Sequence, residues 1–110
     1  PFYPSPKSLG NVLLEHSSLF DAVEYHSFYP SWFPYFNRKA VRVASAQQLP
    51  VVANSDAHHL SEIGNHYTVI GIRELSVQGI AEALSSRRVY VYTTPKPTLE
   101  LLKIASRHWL

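Results

Sequence analysis

The sequence predicts an α/β fold assembled from β/α units with parallel strands. Short apolar runs rich in β-branched residues and lacking alternation, Val51-Val52-Ala53 above all, suit strands covered on both faces. The segments between such runs have helical length and spacing, where antiparallel hairpins would need only tight turns. The two patterns alternate through all 110 residues, with no internal repeat or low-complexity stretch to compete.

Taken in order, Ser8 to Ser17 places Leu9, Val12, Leu13 and Leu14 on one apolar side, with Ser8 as cap, although Gly10 weakens that helix. Asp21 to His26 favours an extended form and ends near Ser27. Phe28 to Phe36 packs six aromatics and two prolines into nine residues, which forbids regular helix and predicts a structured loop. Asn37 is placed to cap a helix from Arg38 to Gln48, with Ala40, Val41, Ala44 and Leu49 near one face and Pro50 as its stop. After the strand Val51 to Ala53 the chain turns polar from Asn54 to His59. Beyond Gly64 come a strand from Thr68 to Ile72, a helix from Ser76 to Arg87 with Val77, Ile80, Ala81 and Leu84 inward, and a strand from Val89 to Tyr92. Thr98 caps a closing helix after the Pro95-Lys96-Pro97 linker, with Leu101, Leu102 and Ala105 on its apolar side.

Composition bounds the function. Hydrophobic residues at 45% and charged ones at 16% are globular usage, and 110 residues make one small domain or part of one. A formal charge of +2, with scattered lysines and arginines, is too small to argue for nucleic-acid binding through the phosphate field alone and leaves room for a small anionic substrate. With no cysteine, a disulfide framework and thiolate ligation are both excluded, and a metal would be held by His, Asp or Glu. No apolar run approaches the roughly 20 residues that span a bilayer. Pro1 to Pro6 lack the regions of a signal peptide, so no membrane partner and a cytoplasmic location are expected. The absence of methionine suggests that residue 1 is not a natural start and that the chain is a fragment.

In α/β folds functional residues sit just past the C-terminal ends of strands, the positions taken here by His26 to Phe36 and Asn54 to His59. Asp56 and His58, two residues apart on an extended segment, project to the same side and can reach one metal centre. Carboxylate oxygen and imidazole nitrogen suit Zn, Mn or Fe. Two ligands do not complete a shell, and the alternative is that Asp56 caps a turn while His58 and His59 are surface histidines.

The wider run Leu49 to Gly64, with Asn54-Ser55-Asp56-Ala57-His58 at its centre and Ile63-Gly64 at its end, resembles the last metal-binding motif of the PHP (polymerase and histidinol phosphatase) superfamily. Asp21-Ala22-Val23-Glu24 looks like the strand preceding that motif, Asn37 begins the helix between the two strands, and Ser76 to Tyr92 looks like the family's tail of helix plus Arg-Val-Tyr strand. Pro1-Phe2-Tyr3-Pro4 looks like the family's segment just after the third-motif histidine. The resemblance implies that residues 1–110 are the C-terminal portion of a distorted (β/α)7 barrel of PHP type, that Asp56 and His58 are ligands of divalent metal ions, and that the chain belongs to a phosphoesterase using metal-activated water. The early His-x-His motif, the second-motif His and Glu and the third-motif His have no counterpart here, so the isolated chain is expected to be inactive.

Other residues carry paired expectations. His26 is either a donor to a substrate phosphate, and so a catalytic candidate, or a hydrogen-bonded rim residue. Glu24 either supports the site or is a structural pair, His59 lies beside a ligand but is turned away from the metal by alternation, and His66 lines the site mouth. His16 and His108 are given no role. Arg38 and Lys39 either contact a phosphate or form a solvated helix terminus. The aromatic loop is a stacking platform for a base or, the favoured reading, a packing lid. The expected substrate is a phosphorylated small molecule or nucleotide, and association through exposed barrel edges is expected of a half barrel. The rival functions are a non-catalytic PHP-like structural module and an unrelated α/β binding domain.

Overall fold

The computed structural model describes Phe2 and residues 8–108. Of the Pro1–Pro4 segment, all but Phe2 lies outside the described residues. The first helix is short, α1 at Asn11–Glu15, and begins after Gly10, whose φ of 51° takes the place expected of a Ser8 cap. Of its apolar residues only Leu13 is buried. A single 3-10 turn at Ser17–Leu19 leads to strand β1, Val23–Tyr25. Helix α2, Tyr35–Ala46, starts a turn earlier than Asn37 would set it, with Pro34 at the capping position, where a fixed φ suits helix entry. Strand β2 is Val51–Ala53, as expected, and a 3-10 turn at Leu60–Glu62 precedes β3, His66–Ile70. Helix α3, Val77–Ser85, is capped by the Ser76 hydroxyl accepting from the Gly79 amide. Strand β4, Val89–Thr93, and helix α4, Thr98–His108, complete the order.

The expected barrel does not form. The described strands make two separate two-stranded sheets, β1 parallel to β2 and β3 antiparallel to β4. The parallel pair obeys the β/α rule, with Val23, Glu24 and Tyr25 opposite Val51, Val52 and Ala53. The second pair breaks it, because α3 returns the chain beside β3 in the opposite direction, placing His66 opposite Thr93 and Ile70 opposite Val89. A helix-length connection permits either direction, and the apolar pattern of β4 does not encode which. Nor does the ladder run on from β2 into β3. The Thr68 hydroxyl accepts from the Ala53 amide and donates to the Ala53 carbonyl, both at 2.8 Å, and so takes the two backbone groups a continuous sheet would use.

The core lies on the parallel side. Phe2, Leu13, Val23, Ala40 and Ala44 are buried together, with Phe20, Phe36, Val43, Leu49 and Val51 half-buried against them. Asn37, Ala40 and Ala44, spaced by three and four, form the inward stripe of α2. Helix α3 buries Ala83 and keeps Ile80 and Leu84 half-buried on the expected side, whereas Val77 is 88% exposed and Ala81 also faces solvent. On the β3–β4 sheet, Tyr67, Val69, Tyr90 and Tyr92 share one exposed face, where the Tyr67 and Tyr92 rings stack at 4.8 Å. No helix among the described residues is long and apolar enough to cross a membrane.

Candidate functional site

The parallel pairing brings the ends of β1 and β2 to one edge, so His26 and the Asn54–His59 loop leave side by side. Three side chains fix that edge. Buried Asn37 accepts the His26 amide on Oδ1 at 2.8 Å and donates from Nδ2 to the His26 carbonyl at 3.0 Å, pinning the first turn of α2 to the end of β1. Asn54 donates from Nδ2 to Glu24 Oε1 at 2.6 Å, joining the ends of the two strands. The same Asn54 accepts the Asp56 amide on Oδ1 at 3.0 Å, an Asx turn that holds Asp56 at a left-handed φ of 47°.

Asp56 and His58 are coupled through this turn. His58 Nδ1 lies 2.8 Å from the Asp56 carbonyl, which can only accept, so Nδ1 carries the proton and the neutral ring has its lone pair on Nε2. That orientation is the one a metal-binding histidine receives from an outer partner. Glu62 holds the rest of the loop: Oε2 accepts the amides of His58 at 2.7 Å and His59 at 3.1 Å. These bonds, that from His58 foremost, keep the Glu62 carboxyl below its ordinary range. Sequence reading gave Glu62 no role, although a carboxylate three residues beyond His59 has capping-box spacing. His59 itself is exposed.

His26 is half-buried, and its Nδ1 accepts the Phe28 amide at 2.8 Å, which puts the proton of the neutral ring on Nε2. Burial lowers its pKa, while the Glu24 and Asp56 carboxylates pull it back up. His66 reaches this end from β3, but buried, at 3% exposure, and neither ring nitrogen has a hydrogen-bond partner among the described residues. Its pKa is lowered by burial first, then by Lys96 and His26. The Tyr29 ring stands 6.4 Å from it, and the Tyr29 hydroxyl meets Thr93 Oγ1 at 3.0 Å.

The aromatic loop divides between two tasks. Tyr29 and Phe36 are half-buried, and the loop holds the β4–α4 linker through the Lys96 amide on the Tyr29 carbonyl at 2.9 Å and Trp32 Nε1 on Thr98 Oγ1 at 3.0 Å. Trp32, Phe33 and Tyr35 are exposed. Arg38 is exposed on α2, close enough to Tyr25 for its charge to oppose the burial that raises that hydroxyl's pKa. Among the described residues no three His, Cys, Asp or Glu side chains are grouped to hold a metal. Asp56 and His58 are donors of the right chemistry, with the imidazole tautomer set, but not a full shell.

An α/β chain with an Asp-x-His turn at the end of a parallel strand pair defines the general class, and comparison with known families makes it particular. The PHP-associated family model matches residues 34–89, just over half of the chain, from the start of α2 through β2, the Asp56–His58 loop, β3 and α3 to the first residue of β4. The chain belongs to this family. No curated protein and no solved structure matches it.

Proposed function

We propose that the chain supplies the Asp56–His58 corner of a divalent-metal centre in a phosphoesterase of the PHP kind. The observation that carries this is the bond from His58 Nδ1 to the Asp56 carbonyl, which presents an imidazole lone pair two residues from a carboxylate inside the family match. A divalent ion bound there would supply Lewis-acid polarisation of a phosphoryl oxygen. Asp56 and His58 would hold it, Zn, Mn and Fe all suiting one oxygen and one nitrogen donor. Glu62 and Asn54 keep the loop in register by taking its amides. His26, kept neutral by burial and protonated on Nε2, is the tautomer that donates to a phosphate oxygen. The remaining ligands would come from outside this chain.

Replacing Asp56 by Asn, or His58 by Ala, in the intact protein is expected to lower metal content and hydrolysis of a generic phosphate ester together. Losses of about 10-fold or more are the scale for disturbing such ligands. Metal content and turnover unchanged in both variants would sink the assignment and leave a non-catalytic module.

A further inference from the structure

The outward face of α2 carries a second feature that the metal loop does not explain. A groove of about 290 Å³ lies between this face and the turn before it, lined by Phe33, Pro34, Tyr35, Arg38, Lys39 and Arg42. Tyr35, Arg38, Lys39 and Arg42 follow helical spacing and face away from the buried Asn37–Ala40–Ala44 stripe. Three cations thus stand within five positions, and no carboxylate lines the groove. Among the described residues the one ion pair is Lys96 with Glu100, so these three charges are not paired with an acid there. Lys39 instead rests its ammonium 4.7 Å above the Phe2 ring.

Such an arrangement works against the helix. Like charges four apart repel, and cations in the N-terminal half of a helix with no acid in its first turn oppose the dipole. An anion in the groove would reverse both effects. The walls add a second chemistry: Phe33 and Tyr35 are 45% and 57% exposed, with rings 6.2 Å apart and tilted by 32°. Exposed rings beside guanidinium groups are the equipment for stacking a base next to its phosphate. The volume is at the small end for a ligand pocket.

We infer that the groove binds a nucleoside monophosphate, its phosphate held by Arg38, Lys39 and Arg42 and its base laid against Phe33 and Tyr35. This is a binding site separate from the metal corner proposed above, since the groove faces away from the Asn37 side of α2 that meets the strand ends, and the binding itself needs no metal. The test is calorimetric titration of the intact, chelator-treated protein with AMP, adenosine and inorganic phosphate. AMP is expected to bind at least tenfold more tightly than either part alone. Arg42→Gln should weaken AMP at least tenfold without changing the circular dichroism spectrum, and Phe33→Leu should weaken AMP while leaving phosphate unaffected. Asp56→Asn should keep wild-type AMP affinity, so a failed metal centre and a failed groove give different results. Absence of AMP binding by the wild type, equal affinity for AMP and adenosine, or an Arg42→Gln variant that folds and binds AMP normally would each overturn the inference.

Discussion

Asn37 and His66 are equally buried, each 3% exposed, yet they sit in regions of opposite character. At the β1–α2 junction Asn37 makes two hydrogen bonds to the backbone of His26, and the neighbouring Asn54 and Glu24 are bonded to each other. On the β3–β4 sheet the His66 ring makes none among the described residues, and the opposite face of the same sheet shows Tyr67, Val69, Tyr90 and Tyr92 to solvent. Burial without a partner costs free energy, whereas burial with two partners specifies a geometry. The first region is therefore a rigid platform for the Asp56 loop, and the second is joined to it by the Thr68 hydroxyl on Ala53, by Tyr29 against Thr93 and His66, and by the bond from the Lys96 amide to the Tyr29 carbonyl.

The comparison breaks most sharply at Asn37. Asn37→Ala leaves the His26 amide and carbonyl without their partner and should cost about 2–6 kcal/mol, since each of the two unsatisfied groups costs about 1–3 kcal/mol. A denaturation midpoint close to wild type would show that the junction is not the rigid part. Thr68→Val removes the single hydroxyl serving both backbone groups of Ala53, with an expected cost of about 1–3 kcal/mol. If urea unfolding shows two transitions in this variant, the sheets are coupled mainly through that side chain.

His66→Leu should have the opposite character, near neutral or stabilising at pH 7, because it removes ring nitrogens that have no hydrogen-bond partner among the described residues. Its larger effect is on pH dependence. The folded pKa of His66 is lowered, so the unfolded chain binds more protons as pH drops below about 6.5, and stability is full above that value and lost beneath it. Lys96 and His26 are the charged and titratable groups that act on it, and both disfavour its protonation. Stability measured from pH 7 to 5 should fall less steeply in His66→Leu than in wild type. An unchanged slope would assign the acid sensitivity to His26 instead.

The smallest effect belongs to Glu62. Its folded pKa is depressed, so its hold on the loop is complete above the usual glutamate value of about 4.3 and fades as pH falls through the lower folded value. Hydrogen exchange at the His58 and His59 amides should accelerate over that range beyond the intrinsic rate. Glu62→Gln should remove the pH dependence; its persistence would mean that another group holds the loop.

Legibility in the sequence divides along the same line. Val51 to Ala53 was legible as a strand and the run Leu49 to Gly64 as a family signature, because each is encoded within a few neighbouring residues. The direction of β4 was not, since the alternation of β3 and β4 serves parallel and antiparallel pairing alike and nothing local marks which way α3 returns the chain. Asn37 looked like a helix cap because asparagine commonly is one. Its bonds to His26 span 11 residues and appear only once β1 and α2 have packed. Thr68 was legible as a strand residue but not as the link to Ala53, and Glu62 needed the 3-10 turn to bring its carboxylate back over the loop.

Asp56 sits at a backbone angle that a side chain resists, about 1 kcal/mol or more dearer than glycine there, and Asn54 is spent on keeping it in place. Random substitution filtered only for folding would drift towards glycine at position 56. Under the metal role proposed for it, a lineage that keeps aspartate would be under a second filter that reads the carboxylate itself, and residue 56 would record whether a branch of the family uses that role.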